Sequence, residues 1–201
     1  MNSFFSIFIA LVISSTSINV FADNTSPYKV IETVGNNLFT RIAENQQEIE
    51  KFPGLMRDIV AQELMPFIDY KYAAYRILGT NLRKTTEKQR TTFVTAMHSY
   101  LIRTYANALT QYKNQEVIFE HERDVKGKKI ISVNTKIIDD NRPTINIAFM
   151  MRQNQKTKQW KAYDMVIEGI SLLSSKQAEL SQRITKQGIE RVSLELASIA
   201  K

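Results

Sequence analysis

Asp164 and Glu168 are the two residues whose type and spacing come closest to a catalytic pair. They lie in a segment of alternating polarity, which is typical of a β-strand with one face in the core. Positions i and i+4 on a strand are about 13 Å apart, and this separation exceeds that of the two carboxylates in glycosidases. We therefore interpret the pair as structural, holding a strand-to-helix corner together, with Arg183 or Lys176 as a candidate basic partner. Acid–base catalysis by the two carboxylates is the alternative.

The rest of the sequence offers little other chemistry. The two histidines, His98 and His121, are too far apart in sequence to form the H-x-H or H-x-x-x-H pair of a metal site. The absence of cysteine excludes thiolate ligands, a cysteine nucleophile and disulfide bonds. No phosphate-binding loop or nucleophile elbow occurs among the six glycines. The sequence therefore predicts no catalytic residue, no metal site and no cofactor.

The strand that carries the two carboxylates is predicted to turn into a helix. Its alternation places Tyr163, Met165 and Ile167 on the core face. The opposite face would carry Ala162, Asp164, Val166 and Glu168. The alternation stops at Gly169, and the pair Ser174-Ser175 is a candidate N-cap for the helix that follows.

Three further strands precede this one. Residues 116–123, 129–138, 144–152 and 159–168 alternate in polarity and are separated by short turns. Connections this short favour an antiparallel meander over a parallel sheet. The predicted core face carries Val117, Phe119, Ile131, Val133, Ile137, Ile145, Ile147, Phe149, Met151, Tyr163, Met165 and Ile167.

Helices come before and after the sheet in sequence. Ser26-Pro27 is a helix start signal, and Pro66 interrupts a later helical segment and could begin another that Gly79 ends. Thr86 and Gln89 fit a capping box in front of the longest predicted helix. Two helices follow the last strand. The predicted fold class is α+β, with helices wrapped around one face of a curved four-stranded antiparallel sheet.

The first 22 residues have the features of a signal peptide. An apolar stretch at residues 4–13 is followed by small polar residues and by Val20-Phe21-Ala22, which fits a cleavage site. An uncleaved membrane anchor is the alternative, because the leader lacks Lys and Arg. However, about ten apolar residues are too few to span a bilayer, which needs ~20. We therefore predict a signal peptide at 1–22 and a single exported domain at 23–201.

The chain is basic, with 27 Lys and Arg against 20 Asp and Glu and a net charge of +7. In an exported protein this charge points to anionic membrane surfaces or acidic proteins as partners, rather than to nucleic acid. Much of it lies at two predicted turns, as Arg123, Lys126, Lys128 and Lys129, and as Lys156, Lys158 and Lys161. These residues either keep the sheet edges soluble or dock the protein to anionic lipid or to acidic membrane partners.

The stretch from Trp160 to Lys176 reads W-x-x-Y-D-x-x-x-E-G-x-S-x-x-x-x-K. This order resembles the signature of the MlaC family, the periplasmic phospholipid-binding proteins of the Mla lipid-asymmetry pathway, also called the toluene-tolerance auxiliary family. Shorter segments upstream, at residues 27–29, 62–66, 71–73 and 78–79, also resemble the family, so the resemblance spans nearly the whole chain after the leader. It implies an NTF2-like or cystatin-like fold around a deep apolar pocket that binds phospholipid as cargo.

The resemblance further implies a periplasmic monomer that is not an enzyme. It would exchange diacyl phospholipid with an outer-membrane lipoprotein–porin complex and with an inner-membrane ABC transporter that carries a substrate-binding hexamer, and so maintain outer-membrane lipid asymmetry. The residues we expect to line the lipid pocket are Tyr72, Phe93, Met97, Tyr100, Leu101, Val133, Ile147, Phe149, Met165 and Ile167. An NTF2-like hydrolase or isomerase, and an envelope chaperone or adaptor, are the alternatives.

Overall fold

The computed structural model describes residues 26–199, so the predicted signal peptide lies outside the described residues. The helices are α1 (Pro27–Glu44), α2 (Gln46–Lys51), α3 (Gly54–Ile59), α4 (Tyr70–Leu78), α5 (Glu87–Leu109), α6 (Leu172–Gln187) and α7 (Ile189–Ile199). The strands are β1 (Glu116–Phe119), β2 (Ile130–Asp139), β3 (Arg142–Gln153), β4 (Trp160–Ile167) and β5 (Ile170–Ser171). Within the described residues, none of the helices combines the length and the apolar character that a membrane crossing needs.

The helix start signals act largely as predicted. Ser26 is the N-cap residue of α1, although its side chain makes no capping hydrogen bond, and Pro27 occupies the first helical position. At α5 the capping box is complete, because Thr86 Oγ1 accepts from the Gln89 amide and Gln89 Oε1 accepts from the Thr86 amide. The 23-residue helix behind it is the longest in the described chain.

The chain around Pro66 differs from the prediction of a helix that begins there. α3 widens into a π-helical turn at Val60–Leu64, followed by a 3-10 turn at Met65–Phe67. A proline ring lacks the N–H for an α-helical bond and clashes with the carbonyl four residues back, so the backbone leaves α geometry here. The next helix, α4, begins only at Tyr70, where the Asp69 carboxylate accepts from the Tyr72 amide at 3.1 Å.

The sheet is the predicted antiparallel meander, in the order β1-β2-β3-β4-β5. It has five strands rather than four, since β4 turns back through Glu168 and Gly169 into the two-residue strand β5. Both turn residues have positive φ, 48° and 81°, which is the backbone of a type I′ hairpin turn. A strand of two residues is too short to show alternation, so the sequence pattern could not predict it.

A β-bulge in β4 breaks the predicted alternation. Met150 pairs with Asp164 and Met151 pairs with Ala162, which leaves Tyr163 as the extra residue. Ala162 therefore lies on the same face as Met151 and is buried there, so its predicted outward orientation is wrong. A bulge shifts the strand by one residue, and every side chain before it changes face relative to those after it.

Buried side chains form two separate cores. The first lies between the inner face of the sheet and helices α1 and α3, and its sheet residues are Val133, Met151, Trp160 and Ala162. The second lies among helices α4, α5, α6 and α7 and contains Phe93, Met97, Leu180 and Val192. Helix α5 contributes to both cores, through Ala106 in the first and Phe93 in the second.

Candidate functional site

The inner face of the sheet is not covered evenly along its length. At one end Val133 and Met151 are almost completely buried, at 1% and 0% exposure. Further along the same face Ile147, Met165 and Ile167 are partly exposed, and these three side chains pack into neither core. Since cross-strand partners share a face, the pairs Phe149 with Met165 and Ile147 with Ile167 place all four together.

We call this surface of Ile147, Phe149, Met165 and Ile167 the open cleft. All four residues were predicted to line a lipid pocket, and the structure brings them together on neighbouring strands. The exposed side chains of Ile145 and Ile170, at 40% and 62%, continue the apolar surface at the end of the sheet. Ile170 is the direct cross-strand partner of Ile167, so the cleft reaches solvent at this end.

Helix α5 provides Leu101 and Tyr105, which pack against the same core that Phe149 contacts. Burial raises the pKa of Tyr105 to about 12, with smaller contributions from Asp164 and Tyr100, yet its side chain keeps accessible surface. Leu101 and Tyr105 therefore border the sheet core from the side of α5. Tyr105 was not among the predicted lining residues; its spacing of four from Leu101 on one helix is the signal that could have identified it.

The other predicted lining residues lie elsewhere. Val133 is part of the sheet core, and Phe93 and Met97 fill the helical core at 0% and 1% exposure. Tyr100 borders the helical core, and the Lys176 ammonium lies 4.9 Å from the centre of its ring. Helical spacing alone cannot separate these positions from Leu101, because α5 has apolar residues toward both cores.

Tyr72 lies outside the open cleft, at the edge of β4. Its ring meets Tyr163 edge-on at 5.2 Å, and the Arg152 guanidinium lies 4.2 Å from its ring centre. Arg152 also forms an ion pair with Asp69 at 2.5 Å, and the Asp69 amide donates to the Ala162 carbonyl. Tyr72 therefore belongs to a group of contacts that joins the start of α4 to the sheet.

Asp164 holds the corner between β4 and α6, as interpreted from the sequence. Its Oδ1 accepts from the Leu173 amide at 2.9 Å, and its Oδ2 accepts from the Ser171 hydroxyl at 2.7 Å. Ser171 is the N-cap of α6, since its Oγ accepts from the Ser174 amide at 2.9 Å. The predicted cap at Ser174-Ser175 is therefore wrong by three residues, because α6 begins directly after the short strand β5.

Glu168 stabilises the same corner by bonding to the neighbouring strand β3. Its Oε1 accepts from both the backbone amide and the side-chain amide of Asn146 on β3. The predicted basic partners pair elsewhere: Lys176 with Glu179, and Arg183 with Glu179 and Glu195. Asp164 through both oxygens and Glu168 through Oε1 thus accept hydrogen bonds from donors of the corner, which is the structural role expected of them.

The histidines do not come together either. His98 packs against the Tyr70 ring at 4.5 Å, and burial lowers its pKa, whereas His121 is exposed. Among residues 26–199 no group of three His, Cys, Asp or Glu side chains is arranged to hold a metal ion.

The fold and the site define an α+β protein in which the described helices, within residues 26–199, cover one face of an antiparallel meander and leave part of that face partly exposed. A family model described as "MlaC protein" matches residues 32–198. The chain therefore belongs to the MlaC family, and the resemblance seen in the sequence is confirmed.

Two relatives and one solved structure show how far the similarity extends. The intermembrane phospholipid transport system binding protein MlaC of Haemophilus influenzae is 33% identical over 167 residues, 83% of this chain and 78% of that protein. The toluene tolerance protein ttg2D of Pseudomonas putida is 22% identical over 148 residues, 73% and 67% of the two chains. A phospholipid-binding protein from Ralstonia solanacearum, solved in complex with a phospholipid, has the same fold with a TM-score of 0.76 and 20% identity. That match covers 87% of this chain and 97% of the other.

Proposed function

We propose that this protein is a periplasmic phospholipid carrier that binds acyl chains in the open cleft. The observation that carries the proposal is that Ile147, Met165 and Ile167 lie together on the inner face and pack into neither core. The family membership, and the name of the Haemophilus relative as a phospholipid transport binding protein, support it. The Ralstonia structure, which shares the fold, contains a phospholipid.

The energetics of acyl chains require a cleft of this kind. Transfer of a methylene from water to an apolar site is worth about 0.8 kcal/mol, so two chains of about sixteen carbons amount to roughly 25 kcal/mol. A flat surface patch could not shield that much apolar area. A bilayer provides nearly the same stabilisation, so the carrier lowers the barrier to desorption while the net free energy of exchange stays small.

In this proposal the protein is exported by its leader and works between two membrane complexes. One is the outer-membrane lipoprotein–porin complex and the other is the inner-membrane ABC transporter with its substrate-binding hexamer. Exchange of phospholipid between them maintains outer-membrane lipid asymmetry, and no chemical step is required of the carrier. The hydrogen bonds of Asp164 and Glu168 support a carrier without catalytic activity, since both carboxylates accept hydrogen bonds that hold the corner between β4 and α6.

Native mass spectrometry of the protein purified from a bacterial periplasm tests the proposal, with lipid extraction on the same sample. We expect a bound mass that matches intact diacyl phospholipid, and N-terminal sequencing should show cleavage after Ala22. A folded protein without lipid would favour an envelope adaptor. Lysolipid or free fatty acid in place of intact lipid would favour a hydrolase.

Met165→Glu is the sharpest variant for this test. A carboxylate in an apolar site is strongly disfavoured unless it is paired, so we expect this substitution to abolish lipid retention. Ile118→Glu is the matched control. Ile118 is 44% exposed and lies between Val117 and Phe119 on β1, so its side chain points to the outer face of the sheet while theirs point inward. Circular dichroism should show both variants folded. Normal lipid content in folded Met165→Glu protein would contradict a cargo site at Met165.

A further inference from the structure

Six lysines with no ion-pair partner among the described residues lie at one end of the sheet. Three come from the turn between β1 and β2 and three from the turn and strand start between β3 and β4. They are Lys126, Lys128, Lys129, Lys156, Lys158 and Lys161. We call this group the basic end. The antiparallel meander places both turns at the same end of the sheet, and the Gln153 amide donates to the Lys129 carbonyl across them.

The two turns are held in shape by their own hydrogen bonds. Asp124 Oδ1 accepts from the Lys126 amide, and the Lys128 amide donates to the Val125 carbonyl. In the other turn, Asn154 Oδ1 accepts from the amides of Lys156 and Thr157. Binding to such turns costs little ordering of the backbone, because their conformation is fixed beforehand.

Two depressions adjoin the basic end and share Lys128. The first has a volume of about 340 Å³, and its walls include Lys126, Lys129, Lys158 and the buried Trp160. The second has a volume of about 480 Å³ and runs along residues Ile130 to Asn134 of β2, with Tyr28 and Arg123 opposite. Glu120 and Asp124 also line the second depression, where they balance Arg123 and Lys128, so the positive charge is concentrated in the first depression. The two depressions together form a concave surface beside a strand, with the lysines at one end of it.

That strand has a free edge at this position. β1 pairs with β2 only as far as Thr135, and Glu120 occupies the edge at Asn134, because its amide donates to the Asn134 carbonyl and its carboxylate accepts from the Asn134 backbone and side-chain amides. The free part of the edge is therefore at Ile130 and Ser132. Backbone groups alternate in direction along a strand. The Lys129 carbonyl bonds toward β3, so those of Ile130 and Ser132 point to the free edge. Ile130 is 51% exposed there, and another extended chain could pair with this edge.

The basic end is remote from the exposed end of the open cleft. Ile145 and Gln153 are eight residues apart on β3, which corresponds to roughly 26 Å. Electrostatic attraction between exposed charges is largely screened beyond about 8 Å at physiological ionic strength. A membrane that receives or supplies lipid at the cleft therefore lies out of reach of these lysines, and this step rests on the proposed function.

We propose that the basic end binds an extended acidic segment of a partner protein, which adds to the free edge of β2 while its carboxylates face the lysines. The partner can then hold the carrier from the end opposite the cleft and leave the cleft free for exchange. Lysine at a sheet edge also discourages pairing with uncharged strands, so the same residues would select an acidic strand over an apolar one.

The test is fluorescence anisotropy with a labelled ten-residue peptide of alternating glutamate and valine, beside the same peptide with glutamine for glutamate. The triple variant Lys126→Gln, Lys128→Gln and Lys158→Gln is compared with a control, Lys51→Gln, Lys84→Gln and Lys186→Gln. Both variants lose the same charge, and all six positions are exposed. Vesicles of phosphatidylglycerol and of phosphatidylcholine provide the membrane arm.

We expect the acidic peptide to bind wild type and the control alike, and to bind the basic-end variant roughly tenfold more weakly. Hydrogen exchange should show new protection of the Ser132 amide when the peptide is bound. Equal weakening in both variants would mean that binding follows net charge, and equal binding of the glutamine peptide would remove the role of charge. Binding to phosphatidylglycerol vesicles in preference to the peptide, or no binding at all, would also overturn the proposal. Native mass spectrometry should find lipid unchanged in the basic-end variant, so failure here leaves the proposed function standing.

Discussion

Asp164 joins three parts of the chain through one carboxylate: β4 that carries it, Ser171 at the end of β5, and the first turn of α6. Asp164→Asn replaces an ionised acceptor by an amide, which can accept through one oxygen only. Removing a charged acceptor from a partly buried site costs about 1–3 kcal/mol, so we expect the free energy of unfolding to fall by roughly that amount. Urea denaturation of the purified protein measures it.

The control for this prediction is Asp58→Asn, since Asp58 is exposed on α3 and its substitution should change stability very little. Lipid content should be the same in both variants, because Asp164 contributes to the corner rather than to the open cleft. A wild-type stability for Asp164→Asn would show that the corner does not depend on this carboxylate. Loss of a measurable chemical activity would reopen the catalytic alternative.

Tyr105 leads to a pH prediction. Its pKa is about 12 in the folded protein, against an ordinary value of 10.0, and burial is the main cause. Below pH 10 the side chain is neutral in both states, so its contribution to stability is fully present. Between pH 10 and 12 the unfolded chain releases the proton and the folded protein retains it, so that contribution is lost as pH rises. Wild type should therefore lose stability relative to Tyr105→Phe, by up to about 1.4 kcal/mol per pH unit.

Urea denaturation of both proteins at several pH values between 9 and 12 checks this. Subtracting the free energy of unfolding of Tyr105→Phe from that of wild type at each pH cancels the contributions that the two proteins share, including those of the lysines and of the other tyrosines. A difference that stays constant with pH would show that the Tyr105 hydroxyl is solvated in the folded protein.

At the scale of elements, helix α1 and strand β1 approach closely at Gly35. A Cβ added to Gly35 would lie 2.5 Å from the end of the Phe119 ring. Glycine to alanine in a helix interior normally stabilises by about 0.5–1 kcal/mol. Here the clash outweighs that gain, and overpacking typically costs 1–3 kcal/mol, so Gly35→Ala should lower the melting temperature.

Gly54→Ala is the matched control for this contact. The nearest atom to its added Cβ is the far end of the Arg57 side chain at 3.9 Å, so this variant should be at least as stable as wild type. Thermal unfolding of the two variants side by side is the measurement. A Gly35→Ala protein that melts at or above the wild-type temperature would show that Phe119 moves aside without cost.

The elements also show where sequence reasoning succeeds and where it stops. The meander, the capping box at Thr86 and the corner role of Asp164 could be predicted, because each depends on residues near one another in sequence. The bulge at Tyr163 could not, since the alternation continues through it and only the pairing with β3 reveals the shift. The cap at Ser171 was missed for a related reason, because it required the unpredicted strand β5.

The candidate site was harder to predict than the fold. Met165 and Met97 are both apolar and both correctly assigned to their elements, yet Met97 is 1% exposed in a filled core while Met165 is partly exposed and packs into neither core. Periodicity reports which face of an element is apolar. Whether the space beyond that face is filled depends on contacts between elements far apart in sequence, and a single sequence pattern does not contain them.

At the scale of the whole molecule, the two cores differ in how close they lie to the open cleft. The sheet core adjoins the open cleft through Phe149 and has Tyr105 packed on it, whereas Leu101 packs against both cores. The helical core of α4, α6, α7 and the first half of α5 contains no residue of the cleft. Bound lipid stabilises the state that binds it by a free energy that rises with the logarithm of the ratio of lipid concentration to Kd. Local opening is governed by local contacts.

Hydrogen exchange of lipid-loaded and lipid-stripped protein tests this difference. We expect removal of lipid to reduce protection of β3 and β4, which carry the cleft residues, and of the second half of α5, which packs on the same core through Tyr105. Protection of α6 and α7 should stay nearly unchanged. The reason is that the cleft side chains lose their packing partner, whereas Leu180, Ile184 and Val192 keep theirs within the helical core. Met165→Glu protein without added lipid should resemble the stripped wild type. Loss of protection confined to α6 and α7 would place the cargo between the helices instead, and an equal loss everywhere would mean that the two cores unfold as one unit.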